Sequence, residues 1–365
     1  MKILQLSYAL TSGGGERLVV DLSNQLAENP DNEVTIVISN TDEIASNVHY
    51  LPDVSNKVKF VSLKCKSGYS IKAFWRVFRY ICREKPDIVH AHSNMIQLYL
   101  PALFCYKPKY IHTLHSLATY CLKFKQVRPF NRWLYKNKIQ GVTISEECHQ
   151  DFKKLYGFSN DILVINGRTN PTLTEKSQVV RLEIETYKNS VSTPIFIHIA
   201  RCHPVKNQSL LFTAFEQMDK EGRDFVLIVL GAGYDSEWVP KYKNHPKIHI
   251  LGEKKNVGDY VACADYFVLT SKLEGLPLTL LEAMSKGVVP ICTPAGGIRN
   301  VIRHGENGFM SKTIEQDDYI NTLRQVFETN TKIDRDAIKA EYEAKYSMEI
   351  CANKYYEIYK QVLNE

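Results

Sequence analysis

The sequence predicts an α/β protein built from two doubly wound, parallel-sheet domains in tandem. Three observations carry this. The chain has 365 residues, more than one hydrophobic core usually organises. Two separate series of short apolar runs alternate with amphipathic stretches, the pattern of parallel strands joined by crossover helices. Between the series the pattern weakens over residues 166–193, where Gly167, Asn170-Pro171 and a charged stretch without a clear buried face read as an interdomain link and a lead-in helix.

Taken in order, the first series places strands at Ile3–Leu6, Val34–Ile38, Val58–Val61, Ile88–Ala91, Tyr110–Thr113, Gly141–Ile144 and Ile162–Ile165. Helices at Arg17–Ala27 and Ile71–Arg83 fall between them. The second series runs Ile195–Ile199, Ser209–Met218, Phe225–Leu230, Ile248–Leu251, Tyr266–Leu269, Leu278–Met284 and Val289–Cys292. The chain ends in a helix-like run, Ile350–Leu363, either an ordinary capping helix or a strap back to the first domain. The domains are therefore residues 1–170 and 171–345, with the terminal helix in 346–365. Open sheets of this kind bind ligands beyond the carboxyl ends of their strands, and two such domains facing each other create a cleft.

Composition narrows the class. Hydrophobic residues make up 44% of the chain and charged residues 24%, which excludes disordered and fibrous architectures. The longest apolar runs are strand-length, far short of the roughly 18–20 residues that cross a bilayer. Met1-Lys2 leads straight into a strand pattern without a signal peptide's cleavage site. The nine cysteines are widely spaced and hold no C-x-x-C pair. They fit free thiols in a reducing cytoplasm better than a zinc site or a disulfide framework.

The charge is uneven. Residues 61–140 hold fifteen lysines and arginines, Lys107 and Lys123 among them, against Glu84 and Asp87 alone. Such a face suits an anionic membrane surface or a phosphorylated acceptor, or it is a solvated basic face. No nucleic-acid motif accompanies it. Phe74, Trp75 and Phe78 interleave with Lys72, Arg76 and Arg79. This reads either as a helix edge lying on an anionic bilayer or as a buried crossover helix with a wet basic edge.

Four constellations carry chemistry. In Glu274-Gly-Leu-Pro-Leu-Thr-Leu-Leu-Glu282, two carboxylates stand eight positions apart around a helix start marked by Pro277. The free N–H groups of Leu278 and Thr279 then form a ready phosphate site. Glu274, on the loop before the helix, suits sugar hydroxyls, and Glu282, in its second turn, suits ribose hydroxyls. Two surface glutamates near a helix start would look the same. In Arg201-Cys-His-Pro-Val-Lys206, directly after a strand, a forked donor and a point cation suit a diphosphate whose charge grows as it leaves. A pair of ordinary loop cations is the plainer account. Ser12-Gly13-Gly14-Gly15-Glu16 and Gly231-Ala-Gly233 both follow strands, and neither completes a dinucleotide fingerprint, since Leu18 and Ser236 stand where glycine is required. Each either lets backbone approach phosphate or sugar or makes a tight turn. His90, His92, His112 and His115 cluster at two strand ends. His115 is placed to reach a sugar hydroxyl, His90 and His92 read as structural, and a metal would need a converging carboxylate or thiolate. No nucleophile elbow or activated cysteine pair is visible.

Together these residues resemble the family-4 glycosyltransferases of GT-B architecture, two facing Rossmann-like domains with an interdomain cleft. The likeness spans nearly the whole chain. It includes the glycine loop, Lys85-Pro-Asp-Ile-Val-His-Ala-His92, Thr113-Leu-His115, Ile144-Ser-Glu146, Arg201 with Lys206, Gly231-Ala-Gly233, Glu274 with Glu282, Pro294-Ala-Gly-Gly297, Gly305-Glu-Asn-Gly308 and Tyr346-Ser-Met-Glu349. The resemblance implies a retaining, metal-independent transfer of a hexosyl group from a nucleotide sugar, most often a UDP-sugar. It implies an acceptor-binding first domain, a donor-binding second domain and a last helix that crosses back to the first. Arg201 and Lys206 would hold the diphosphate, with Gly14, Gly15, Gly233, Gly275, Leu278 and Thr279 lining the donor. Glu274 and His115 would contact the sugar, and Glu282 the ribose. The leaving phosphate itself would assist the acceptor's deprotonation on the front face. The chain departs from the family in Ala200 before the arginine, in Cys202-His203, and in Val164–Thr169, which lacks the usual proline-containing turn.

The expected activity is extension of a lipid-linked or cell-surface polysaccharide, such as lipopolysaccharide or capsule, in the cytoplasm or peripherally on its membrane face. A nucleotide-sugar epimerase on the same architecture is the alternative, distinguished by isomerised donor in place of free UDP. A non-catalytic nucleotide-sugar-binding subunit is the other, distinguished by full activity after Glu274→Ala.

Overall fold

A computed structural model of the chain describes residues 1–66, 71–93, 96–105, 108–122, 125–236, 238–328 and 333–364. Lys107 and Lys123 of the basic stretch lie outside the described residues. Two compact units divide the chain: Met1–Arg168 with Tyr346–Glu365, and Thr169–Lys345.

The first unit is a seven-stranded parallel sheet. Its strands are β1 (Lys2–Ser7), β2 (Glu33–Asn40), β3 (Lys59–Cys65), β4 (Ile88–His92), β5 (Lys109–Leu114), β6 (Ile139–Thr143) and β7 (Ile162–Leu163). They lie in the order β3-β2-β1-β4-β5-β6-β7. The strand expected over Ile162–Ile165 pairs through two residues only, Val142 with Ile162 and Thr143 with Leu163. Strands in such a sheet are covered on both faces, so alternate residues feed two cores. Leu4, Leu6, Val89, Ala91 and Leu114 join the helices Ile71–Glu84 and Arg128–Asn137 in one of them. Ile3, Ile36, Ile88 and Ile111 join the helix Gly14–Leu26 and the last helix, Met348–Asn364, in the other.

That last helix settles one open point: it is part of the first unit. Tyr355 and Tyr359 are fully buried, and Ile358 and Val362 nearly so. Burying each aliphatic side chain contributes about 1.5–3 kcal/mol. The chain leaves and re-enters the unit at adjacent points, where the Arg168 N–H donates to the Tyr346 carbonyl at 3.0 Å. Arg168 Nη1 also reaches buried Asp21 at 2.5 Å, anchoring the exit to the first helix.

The second unit is a six-stranded parallel sheet of β8 (Ile195–Ile199), β9 (Val226–Leu230), β10 (Ile248–Gly252), β11 (Tyr266–Leu269), β12 (Val289–Cys292) and β13 (Phe309–Met310). The order is β10-β9-β8-β11-β12-β13. β8 and β9 are buried at every position, as their continuous apolar sequences require. The lead-in helix runs Ser177–Glu185.

Candidate active site

The second unit gathers its functional candidates on loops at the carboxyl ends of β8, β9, β11 and β12. β8 ends at Ile199, and the chain turns through Arg201 into Lys206 before Asn207, at φ 55°, starts the helix Gln208–Lys220. Gln208, buried behind this turn, donates to the Arg201 carbonyl and to the Tyr234 hydroxyl, both at 3.1 Å. Tyr234 in turn donates to the Ala200 carbonyl at 2.8 Å. The turn is thus fixed from beneath while the Arg201 side chain stays exposed, in no ion pair among the described residues.

Lys206 is held differently. Its Nζ lies 2.6 Å from Glu274 Oε1, and the Ser271 hydroxyl donates to the same oxygen at 2.6 Å. The sequence assigned these two residues separate contacts, and the structure adds that they are partners. The loop carrying Glu274 is knitted to both neighbours. Thr270 reaches the Lys206 carbonyl at 3.1 Å, Thr293 donates to the Ser271 carbonyl at 2.6 Å, and the Gly297 N–H donates to Gly275 at 2.8 Å.

Pro277 proves to be the N-cap, with the helix running Leu278–Ser285, one residue later than its placement at Pro277. No side chain caps this terminus, so its first N–H groups, around Leu278 and half-buried Thr279, keep the free-donor geometry of a helix start. Glu282 is 8% exposed inside the helix, which removes the surface-glutamate account for that residue. The glycine loop after β9 is sterically demanding. Gly231 has φ +139°, and a Cβ there would lie 2.1 Å from the Ala200 carbonyl oxygen. Gly233 has φ +88°. Only glycine permits this close return to the β8 turn.

The first unit contributes a second, separate set. Gly13 is the N-cap of the helix Gly14–Leu26, without positive φ at Gly13, Gly14 or Gly15, so this loop is not a left-handed turn. What Gly15 provides is room: a Cβ on it would come within 3.1 Å of His115 Cγ. Glu16 folds its carboxylate back over Gly13, where burial raises its pKa.

The four histidines divide between the two faces of the sheet. His112 bonds Tyr135 at 2.7 Å on one side. His90 and His92 belong to the side covered by the last helix, with His90 Nδ1 2.7 Å from the Tyr359 hydroxyl. His92 Nδ1 is 3.0 Å from His115 Nε2. Burial lowers the pKa of all four, His112 to about 4 and His115 to about 3, and puts His90 and His92 well below the usual 6.5. Near neutrality they are uncharged hydrogen-bonding groups. His115 therefore offers a hydrogen bond and no cation. Among the described residues, no three His, Cys, Asp or Glu side chains converge as a metal site. The eight cysteines whose side chains are described are free thiols.

A cavity bordered by Pro194, Ile195, Tyr266, Val289 and Arg335 lies at the amino ends of the second sheet's strands, away from Arg201 and Glu274. Ligands of such sheets bind at the carboxyl ends.

Ser271, Thr293, Gln208 and Tyr234, which brace the loops, went unnoticed in the sequence, as did Gln5 behind the histidines, while Tyr355 and Tyr359 stood out only as part of the terminal helix-like run. The last three did leave a signal. Gln5 interrupts an otherwise apolar strand, and Tyr355 and Tyr359 share a helix face four residues apart.

Fold and loops together place the chain in the GT-B class of glycosyltransferases. Residues 12–167 match the family model described as Glycosyltransferase Family 4, and residues 181–344 match Glycosyl transferases group 1. The chain belongs to this glycosyltransferase family and is an enzyme of that type. It is 26% identical over 304 residues to the UDP-Gal:alpha-D-GlcNAc-diphosphoundecaprenol alpha-1,3-galactosyltransferase of Escherichia coli, covering 76% of each chain. A glycosyltransferase structure from Rickettsia africae superposes with a TM-score of 0.82 at 18% identity, over 99% of this chain and 98% of that one. Anabaena Alr3699/HepE in complex with UDP-glucose superposes at 0.77 and 16% identity, over 99% and 100%.

Proposed function

We propose that the enzyme transfers a hexosyl group, with retention, from a UDP-sugar to a lipid-linked or cell-surface glycan. The observation that carries the proposal is the Lys206–Glu274–Ser271 array beside exposed Arg201 at the strand ends of the second unit. A leaving diphosphate needs fixed positive charge where its own charge develops. Arg201 and Lys206 supply it, and the helix start at Leu278 and Thr279 adds oriented N–H groups. Glu274, held by Lys206 and Ser271, presents an acceptor to sugar hydroxyls, and Glu282 serves the ribose. Gly233 and Gly275 let backbone come close to the donor. In the first unit, Gly14 and Gly15 line the phosphate side and neutral His115 bonds a sugar hydroxyl. No side-chain nucleophile is assigned, so the leaving phosphate takes the acceptor's proton. No metal is part of this scheme.

The choice of UDP-sugar and of a lipid-linked acceptor rests on what the E. coli relative's name states for that enzyme. A membrane surface is the second proposed partner. Ile71, Trp75, Phe130 and Trp133 are exposed on two helices that cover one face of the first sheet. Arg76 is less available than the sequence suggests, since it donates to the Leu63 and Lys64 carbonyls. Among the described residues, no helix is long and apolar enough to cross a membrane.

A panel of UDP-, GDP- and ADP-sugars tests the donor assignment, scored for released nucleoside diphosphate and for the anomeric configuration of the product. Released UDP with a retained α-anomer is expected. An isomerised donor without release, or an inverted product, would refute it.

A further inference from the structure

A buried line of hydrogen bonds runs behind His115 through four elements of the first unit. His115 Nε2 is 3.0 Å from His92 Nδ1, and His92 Nε2 is 2.7 Å from Gln5 Oε1. Gln5 Nε2 donates to the Tyr359 hydroxyl at 3.1 Å. The Tyr359 hydroxyl is 2.7 Å from His90 Nδ1, His90 Nε2 is 2.8 Å from Thr113 Oγ1, and Thr113 Oγ1 is 2.9 Å from the Tyr355 hydroxyl. Gln5 lies on β1, His90 and His92 on β4, Thr113 on β5, and both tyrosines on the last helix.

Imidazoles and hydroxyls can point their protons either way, whereas an amide with its oxygen towards His92 and its nitrogen towards Tyr359 accepts on the one side and donates on the other. Gln5 in this orientation therefore sets the direction of the arm through His92 to His115. Its oxygen must receive the proton on His92 Nε2. Neutral His92 then has a bare Nδ1, and His115 must carry its proton on Nε2 to bond it. On the other side the Gln5 nitrogen donates to the Tyr359 hydroxyl, which is also paired with His90. Burial keeps the rings neutral, so no extra proton breaks the order. What remains is His115 Nδ1, a shielded acceptor without a hydrogen-bond partner among the described residues. An acceptor left so costs about 1–3 kcal/mol until something donates to it.

We infer that Gln5 and Tyr359 are positioning residues that, through His92, lock His115 as the Nε2–H tautomer. Its bare Nδ1 then takes a hydrogen bond from a ligand hydroxyl and turns away a carboxylate or phosphate oxygen. The identity of that hydroxyl as one on the transferred sugar rests on the function proposed above. An acceptor facing an acceptor repels, so the same lock gives selectivity for a neutral sugar over one carrying a carboxylate at that position. It also gives the last helix a task beyond packing, since Tyr359 holds the amide that sets the tautomer.

Two-bond 15N–1H spectra of the protein labelled at histidine nitrogens read the tautomer directly, with His115→Gln assigning the His115 signals. The wild type is expected to show His115 protonated at Nε2 alone. Tyr359→Phe, which changes one hydroxyl, and Gln5→Leu are each expected to give a mixture of both tautomers. They are also expected to lower kcat/KM for the sugar donor about tenfold while leaving UDP affinity within about twofold. A wild-type His115 protonated at Nδ1, or an unchanged Nε2–H tautomer in both variants, would overturn the proposal. A wild type that turns over no sugar nucleotide would sink the functional reading and the hydroxyl contact with it. The tautomer result would still stand, so the two failures can be told apart.

Discussion

Lys206 Nζ and Glu274 Oε1 meet at 2.6 Å, joining two loops that lie 68 residues apart in the chain. The lysine side chain is 28% exposed and the glutamate 10%, so the pair borders solvent on the cation's side. On the proposed function, a phosphate bound there would find Lys206 already held by Glu274, and Glu274 already turned by Ser271. Lys206→Ala should lower kcat by about 10²–10³ through loss of transition-state charge stabilisation. It should destabilise the fold by about 1–3 kcal/mol, because Glu274 is left with fewer hydrogen bonds. Steady-state kinetics and urea unfolding measure the two effects. Unchanged kcat would remove Lys206 from the chemistry.

Gly15 and His115 make a sharper test of geometry. In Gly15→Ala the new Cβ meets His115 Cγ at 3.1 Å, so the ring must give by a few tenths of an ångström. Alanine is a better helix former than glycine by about 1 kcal/mol, so stability should hold or rise. Activity should fall about tenfold, since small misplacements at a reacting centre are costly. A variant both stable and fully active would show that His115 is not placed for catalysis.

Acid should unfold the protein early. His112 and His115 titrate near 4 and 3 in the folded chain, and His90 and His92 well below 6.5. Unfolded, each regains its ordinary value and binds a proton that the folded state refuses. The stabilisation is complete above pH 6.5 and is lost as pH falls towards the folded values. Each group adds a slope of up to about 1.4 kcal/mol per pH unit. Urea midpoints should therefore drop steeply from about pH 7 to about pH 5, and His112→Phe should flatten the drop. A flat profile would contradict the buried neutral histidines.

Trp75 and Trp133 are 53% and 42% exposed on the basic first unit. Flotation with anionic vesicles should recover more protein than with neutral ones, and Trp75→Ala with Trp133→Ala should cut the recovery. Raising salt should weaken it as well, because exposed charges are screened within about 10 Å at 0.1 M. Equal recovery from both lipids would exclude the electrostatic attachment.

The fold was largely legible because parallel strands buried on both faces read as unbroken apolar runs. Ile195–Ile199, Tyr266–Leu269 and Val289–Cys292 fall where the sequence places them. β7 was overread because the ladder to β6 ends where the Val164 N–H donates to the Thr143 carbonyl, so Ile165 is apolar but unpaired, and apolarity does not report pairing. Candidate residues such as Arg201, Glu274 and His115 could be named from motif and position. The bonds between them could not, since Lys206–Glu274 and Gln5–Tyr359 join residues far apart in sequence, and only the folded sheet brings them together.

We propose that the loops after β8 and β11 hold a nucleoside diphosphate. Calorimetric titration of UDP into the wild type, Arg201→Ala and Lys206→Ala tests it most directly. Saturable binding to the wild type is expected, weakened by about tenfold or more in each variant, as loss of a charge-assisted contact to phosphate requires. Binding of equal strength in all three proteins, or none in the wild type, would contradict it.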